Sequence, residues 1–447
     1  MSSRAVSVTE LFDEIRFTPY QAGICFLCFC VTLFDGLDLT VIGVTLPKIA
    51  EFLHSSPSAL GLAVGAGQFG PMFGALILGM LADRWGRKRM LFLSAVIFGL
   101  FTLLTAFITT VEQLALLRFL AGIGLGGAIP NALAYGCEYA PNRMRATLTT
   151  AMWAGMPVGS IIGGLSAAYL IPHYGWQSLF ILGGIAPVLV SLLVMLFLPE
   201  SLEFLVRQGT NQTLIRKIVS KVAPAIANDG DIQFYSTQKK LTSVSVKHLF
   251  SDGRAFTTVL LWVLFFLSFY LIWIMLAWAP TLLRKSGASA QQYSLAFAFI
   301  NFGSAVATIT VGRLMDRFNP FRMLKVVFAL TFFSVILFGF FASSPFIVVA
   351  GMCFVTGLFI FGSNSGIVAL ATISYPVDIR GSGVGWAYAI GKFGSMLAPV
   401  LGGFLLSLQW SVSQICLVSA MPALLVIFAI TILQRHIASA AHNEVSS

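Results

Sequence analysis

Runs of about 18 or more apolar residues recur from near Ala22 to near Leu433, each long enough to cross the ~30 Å hydrocarbon layer as a helix. Lipid offers no hydrogen bonds, so a spanning segment must satisfy its own backbone, which an isolated run of this length does only as a helix. About twelve such runs are present. With 57% of residues hydrophobic and 10% charged, the chain cannot coat a soluble body of 447 residues with polar surface. The fold class read from this is an all-α membrane protein with twelve transmembrane helices.

A formal net charge of +10 does not point to nucleic acid, because the basic residues sit in short segments between the runs. Alternate segments hold 22 of the 27 Lys and Arg, against 3 in the others (Lys48, Arg284 and Lys285), with Arg118 and Lys392 inside spans. By the positive-inside rule the richer set is cytoplasmic, and both termini with it. Six cysteines lie in or beside apolar runs with no partner pattern, so neither a disulfide framework nor a metal site is implied. "GAGQFG" at 65–70 matches a dinucleotide fingerprint in letters only, since no strand precedes it, and "GIGLGG" at 122–127 is similar. Both read as small-residue faces on which transmembrane helices approach closely. No cofactor is expected.

The longest polar stretch, 199–254, divides the spans six and six, giving an N-terminal six-helix bundle (1–198), a cytoplasmic central loop (199–254), and a C-terminal bundle with a short tail (255–447). The halves also repeat. "GMLADRWGRKR" at 79–89 and "GRLMDRFNPFR" at 312–322 are offset by 233 residues, and "EYAPNRMRA" and "SYPVDIRGS" by about 236. Two segments at nearly one offset indicate a parallel duplication.

An ionisable side chain inside a span is costly, about 2.5–3.5 kcal/mol at the bilayer centre, and so is a functional candidate. Asp35 and Asp38 in "FDGLDLTVIG" share one helical face, Arg118 lies in the fourth span and Lys392 in the eleventh. A proton-coupled carrier needs a carboxyl group that titrates, which the aspartate pair supplies, and a carboxylate cargo needs a fixed cation, which Arg118 or Lys392 supplies. The division adopted has Arg118 hold the first-span acids while Lys392 receives cargo, the reverse staying open. Gly391 and Gly394 beside Lys392 are expected to leave room for a ligand. Gln68, Asn131, Tyr135, Asn301, Asn364 and Tyr388 are the candidate cavity liners, each with helix-to-helix hydrogen bonding as its plain alternative.

Gly79, Asp83, Arg84, Gly86, Arg87 and Lys88 resemble the loop between the second and third spans that marks the major facilitator superfamily, and the second copy keeps Gly312, Asp316 and Arg317 but has Asn319 and Pro320 where the glycine and basic run would be. With Asp35-Gly36-Leu37-Asp38 upstream, the whole chain is similar to the aromatic acid:proton symporter family within that superfamily. The resemblance implies two rocking six-helix bundles and proton-driven import of an aromatic carboxylate or a ring-cleavage acid such as muconate, by a monomer in the bacterial inner membrane. It also implies gates at the cytoplasmic ends. Asp83, Arg84 and Arg87 form one, Glu138 with Arg143 and Arg145 another, and Asp316, Arg317, Asp378 and Arg380 the counterparts in the second half. "LPESLEFL" at 198–205 recurs across organic-solute carriers and suggests, as the rival, a facilitator for a sugar, a polyol or a nicotinate-like acid. Nothing in the pattern suggests an enzyme.

Overall fold

Several of the long apolar runs begin at a residue whose side chain caps the helix. The computed structural model describes residues 4–7, 12–13, 17–209, 212–222, 232–235, 249–251, 254–375 and 377–446. Thr18 caps α1 (Pro19–Phe52) in a capping box with Gln21, Ser56 caps α2 (Pro57–Trp85), and α3 (Arg87–Thr105) follows at Gly86. Thr110 caps α4 (Val111–Glu138), after which α5 (Arg145–Trp153) and α6 (Gly155–Tyr174) form one broken span before α7 (Gln177–Phe197). Two short helices, α8 (Leu202–Arg207) and α9 (Gln212–Val222), lead to the second half. That half comprises α10 (Ala255–Lys285), α11 (Ala290–Arg317), α12 (Pro320–Phe341), α13 (Phe346–Ser374), α14 (Val377–Ser407) and α15 (Val412–Ser446). The described strands are a parallel pair, β1 (Arg4–Ser7) beside β2 (Ile232–Tyr235). Among the described residues eleven helices are long and apolar enough to cross a membrane.

Helices of each half pack chiefly on their own. In the first half α2 and α3 pack on α4, α6 on α1 and α7 on α3; in the second α11 packs on α13, α10 on α14, and α15 on α12. Three pairs make most of the seam between halves, namely α2 with α14, α6 with α11, and α1 with α10. Close approach depends on the small residues. A Cβ on Gly122 would sit 2.7 Å from the Gly67 carbonyl and from the Pro71 ring, so "GAGQFG" and "GIGLGG" are the two faces of the α2–α4 contact. All six cysteines are free thiols.

Asp-Gly-x-Asp has a packing reason at its glycine. A Cβ on Gly36 would overlap the Met156 carbonyl, because α6 presses directly on α1 there. Ser160 Oγ donates to the Gly36 carbonyl at 2.8 Å and Thr40 Oγ1 to the Ser160 carbonyl at 3.1 Å, locking that contact. The two copies of the repeated loop solve one helix start in two ways. Gly86 takes φ +99°, and the Glu200 carboxylate accepts from the Lys88 backbone N–H at 3.0 Å. At the equivalent position Asn319 caps α12 with its own side chain, accepting from Arg322 N–H at 3.2 Å, with Pro320 in the first turn. The missing glycine of the second copy is thus replaced by a conventional cap.

Gly36→Ala should lower the apparent melting temperature in detergent by the equivalent of about 1–3 kcal/mol. Gly23→Ala, on the same helix with nothing within 4 Å of the added carbon, should leave it unchanged or slightly raised.

Candidate functional site

Midway along the seam lies a cavity of about 410 Å³ walled by α1, α2, α4, α5, α6, α10 and α14. Its surface is mainly aliphatic and aromatic, with Ile42, Val64, Leu125, Leu133, Trp153 and Trp273 among the liners. The cavity extends along α2 to Ala75 and along α4 to Leu133, toward the end of the body that carries Gly86 and Pro141. At the opposite end the halves touch. Arg284 Nη1 donates to the Pro47 carbonyl at 2.8 Å and pairs with Glu51, while Gly61 and Gly65 of α2 lie against the Pro399 and Met396 carbonyls of α14.

All four intramembrane charges line this one cavity, but they are not equivalent. Arg118 Nη1 donates to Asp38 Oδ1 at 2.7 Å, and both side chains are buried, 5% and 8% exposed. The other arm of the guanidinium donates to Thr102 Oγ1 at 2.8 Å, and its plane lies 5.6 Å from the Phe180 ring. This is a closed, multiply held pair. Asp35 and Lys392 have no ion-pair partner within 4 Å among the described residues, though each feels the charge of the other. Lys392 Nζ lies 6.0 Å from the Phe269 ring, and Tyr388, one turn away on α14, packs edge-on against that ring at 4.9 Å.

Gln68 and Tyr388 line the cavity with the charges; the other four polar candidates do not. Asn131 and Asn301 donate to carbonyls of their own helices, Gly127 and Phe297, at 2.8 and 3.0 Å. Asn364 bridges to Ser268 Oγ at 3.1 Å, and Tyr135 is fully buried with its hydroxyl on the Pro199 carbonyl at 2.7 Å. Each hydrogen bond satisfies the polar group inside the protein and turns it from the cavity. The room expected beside Lys392 is also absent, since Gly394 backs onto the Phe266 carbonyl and Gly391 onto the Phe269 ring. Those glycines admit α10, not a ligand. Thr102, Trp153 and Trp273 were not singled out by the sequence, where 13% aromatic residues and many span threonines gave no means of choosing them.

At the end of the body toward which the cavity extends, Glu138 meets Arg87, Nε to Oε1 2.7 Å, and accepts from the Ser201 hydroxyl. Its partner is therefore the basic run after Gly86, where the sequence had suggested Arg143 and Arg145; Arg143 Nη1 instead reaches the Asp13 carbonyl at 3.0 Å and Arg145 starts α5. Glu200 binds the start of α3 as described, and Tyr139 donates to its carbonyl at 2.9 Å. "LPESLEFL" thus ties helix ends together and contributes no residue to the cavity wall. Arg84 and Arg317 are exposed at helix ends, and Arg380 Nε donates to the Tyr375 carbonyl at 3.4 Å. The side chains of Asp83, Asp316 and Asp378 lie outside the described ones.

The Major Facilitator Superfamily profile matches residues 28–372 and 274–446. The 4-hydroxybenzoate transporter PcaK of Acinetobacter baylyi is 36% identical over 423 residues, 94% of this chain and 92% of the relative. A gallate transporter of Pseudomonas putida is 33% identical over 431 residues, 95% and 94% of the two chains. Among solved structures, a bacterial homologue of the human lysosomal transporter Spinster, inward-facing and occupied, superposes with a TM-score of 0.73 at 17% identity over 94% of this chain and 97% of that one. The chain belongs to the Major Facilitator Superfamily, in its aromatic acid:proton symporter family, and is a multi-pass membrane transporter.

The two aspartates should separate in stability. Asp38→Asn strands buried Arg118 and should cost about 3–5 kcal/mol in detergent unfolding, whereas Asp35→Asn breaks no described contact ion pair and removes only a counter-charge acting at a distance, so it should cost clearly less. Equal losses would contradict the distinction.

Proposed function

We propose that the chain imports an aromatic carboxylate together with protons by alternating access, as a monomer in the bacterial inner membrane. The observation that carries this is Lys392, a cation on the wall of a mainly apolar cavity with no anionic partner within 4 Å among the described residues. A buried cation without a counter-ion is costly, and a cargo carboxylate supplies one. The aromatic walls, Trp153, Trp273 and Tyr388, suit a ring, and relatives named for 4-hydroxybenzoate, gallate and benzoate support that cargo class. A lysine ammonium offers a point charge rather than a bidentate fork, so several carboxylate poses are accepted.

On this reading α11 is the twelfth span, its 28 residues being long enough to cross. The two bundles are 1–198 and 255–447, joined by the cytoplasmic loop 199–254, with both termini cytoplasmic as the basic residues require. The cavity's open end is then cytoplasmic and the contacts of Arg284 close the outer side, an inward-open state. Asp35 carries the coupling proton. Asp38 and Arg118 respond to it from the fixed side of the cavity. Glu138–Arg87, together with Asp83 and its second-half counterparts, forms the cytoplasmic latch that makes and breaks as the halves rock.

Lys392→Gln should weaken binding of benzoate-type acids by the equivalent of about 2–5 kcal/mol in calorimetry, and Lys392→Arg should retain binding with altered preference. Wild-type affinity in the Gln variant would shift the carboxylate to Arg118. In proteoliposomes the Asp35→Asn, Asp38→Asn double variant should lose accumulation driven by a pH gradient. Full accumulation would remove both aspartates from proton coupling.

A further inference from the structure

Four charged side chains reach the cavity wall, two acids and two bases. Asp38 and Arg118 neutralise each other in direct contact. The remaining two line the same space, Asp35 from α1 and Lys392 from α14, with no ion-pair contact between them within 4 Å and each within reach of the other's charge. Of the helices around them, α5, α6 and α10 bring Trp153, Met156 and Trp273 to the wall, α2 brings Gln68, and α14 adds the neutral Tyr388. Asp38 also acts on Asp35 through its charge, but its own contact is with Arg118. Beyond these four, the described residues of the cavity wall add no charged group, so Asp35 is the counter-charge that Lys392 feels before cargo arrives.

We infer that the cavity selects a monoanion by charge balance, the cargo carboxylate displacing Asp35 as counter-ion of Lys392 only as Asp35 takes up one proton. This rests on reading the cavity as a carboxylate site. The balance is complete at every stage. Empty, the wall carries two negative and two positive charges. Loaded, one proton from water at the cavity mouth has neutralised Asp35, the cargo's single charge replaces it, and Lys392 stays protonated. A second carboxylate on the same ring would leave one negative charge unmatched in a largely apolar space, which is strongly unfavourable. The cavity is therefore a filter against dicarboxylates as well as a coupling device. Gln68 is the place where that filter can be relaxed. Gln68 on α2 and Lys392 on α14 both line the cavity, and their neighbours Phe69 and Phe393 pack at 6.3 Å between ring centres, which brings the two helices together at this level. A cation at 68 would supply the missing charge.

The test is calorimetry on the purified full-length protein at mildly alkaline pH, repeated in two buffers of different ionisation enthalpy so that proton uptake is counted. Benzoate and 4-hydroxybenzoate are the monoanion probes and terephthalate the dianion of the same ring. Expected for the wild type are uptake approaching one proton per monoanion and terephthalate binding at least about 30-fold weaker. Asp35→Asn should bind the monoanions without proton uptake, and Gln68→Lys should bring terephthalate to within about tenfold of benzoate. Terephthalate binding as well as benzoate in the wild type, or unchanged proton uptake in Asp35→Asn, overturns the inference while leaving the carboxylate site intact. Failure of both monoanions to bind the wild type removes the carboxylate reading itself, and this inference with it.

Discussion

A charge placed in hydrocarbon must be matched by another charge or by water, and the whole arrangement follows from how this chain matches four of them. Asp38 and Arg118 meet at 2.7 Å, with Thr102 taking the second arm of the guanidinium and Phe180 covering it. That contact ties α1, α3 and α4 into one rigid wall. Gly67 lets α2 close over it, since a Cβ there would lie 3.0 Å from the Arg118 Cβ. The first half thus presents a fixed electrostatic surface, while Lys392 on the second half is left for whatever fills the cavity.

In the proposed function this asymmetry is what lets one site link cargo to movement. Asp35 belongs to α1 and Lys392 to α14, so under the proposed roles a ligand on Lys392 and a proton on Asp35 acquire contacts with both halves at once. At the Gly86 end, Arg87, Glu138, Glu200 and Ser201 gather about the ends of α3 and α4, a polar cluster built from first-half and adjoining residues. Its dependence on Gly86 shows that defined hydrogen-bonding geometry, and not only positive charge, is built in there. Closing that end requires the second half to approach it. Opening the other requires Arg284 to leave Pro47 and Glu51.

Much of this was legible in the sequence, because lipid leaves few options. The long apolar spans depend on one-dimensional pattern, and eleven of them appear as long apolar helices among the described residues. The four intramembrane charges stood out against apolar surroundings for the same reason, and the structure brings all four to one cavity. Neutral polar residues carried no such signal. Whether Asn131 turns to its own helix or Tyr135 to the Pro199 carbonyl depends on rotation and on a partner 64 residues away in the latter case. The ion pair of Glu138 was misplaced for a related reason, since Arg143 and Arg145 are its neighbours in sequence while Arg87 is brought to it by the α3–α4 contact. Glycine was ambiguous too. Gly391 and Gly394 read as space, and α10 fills it.

The measurement that bears most directly on the account is an experimental structure of the protein with a benzoate-type acid bound. The account places the carboxylate within hydrogen-bonding distance of Lys392 Nζ, the ring among Trp153, Trp273 and Tyr388, and the Asp38–Arg118 contact intact. A carboxylate seated on Arg118 with Asp38 displaced, or an acid bound outside this cavity, would contradict it.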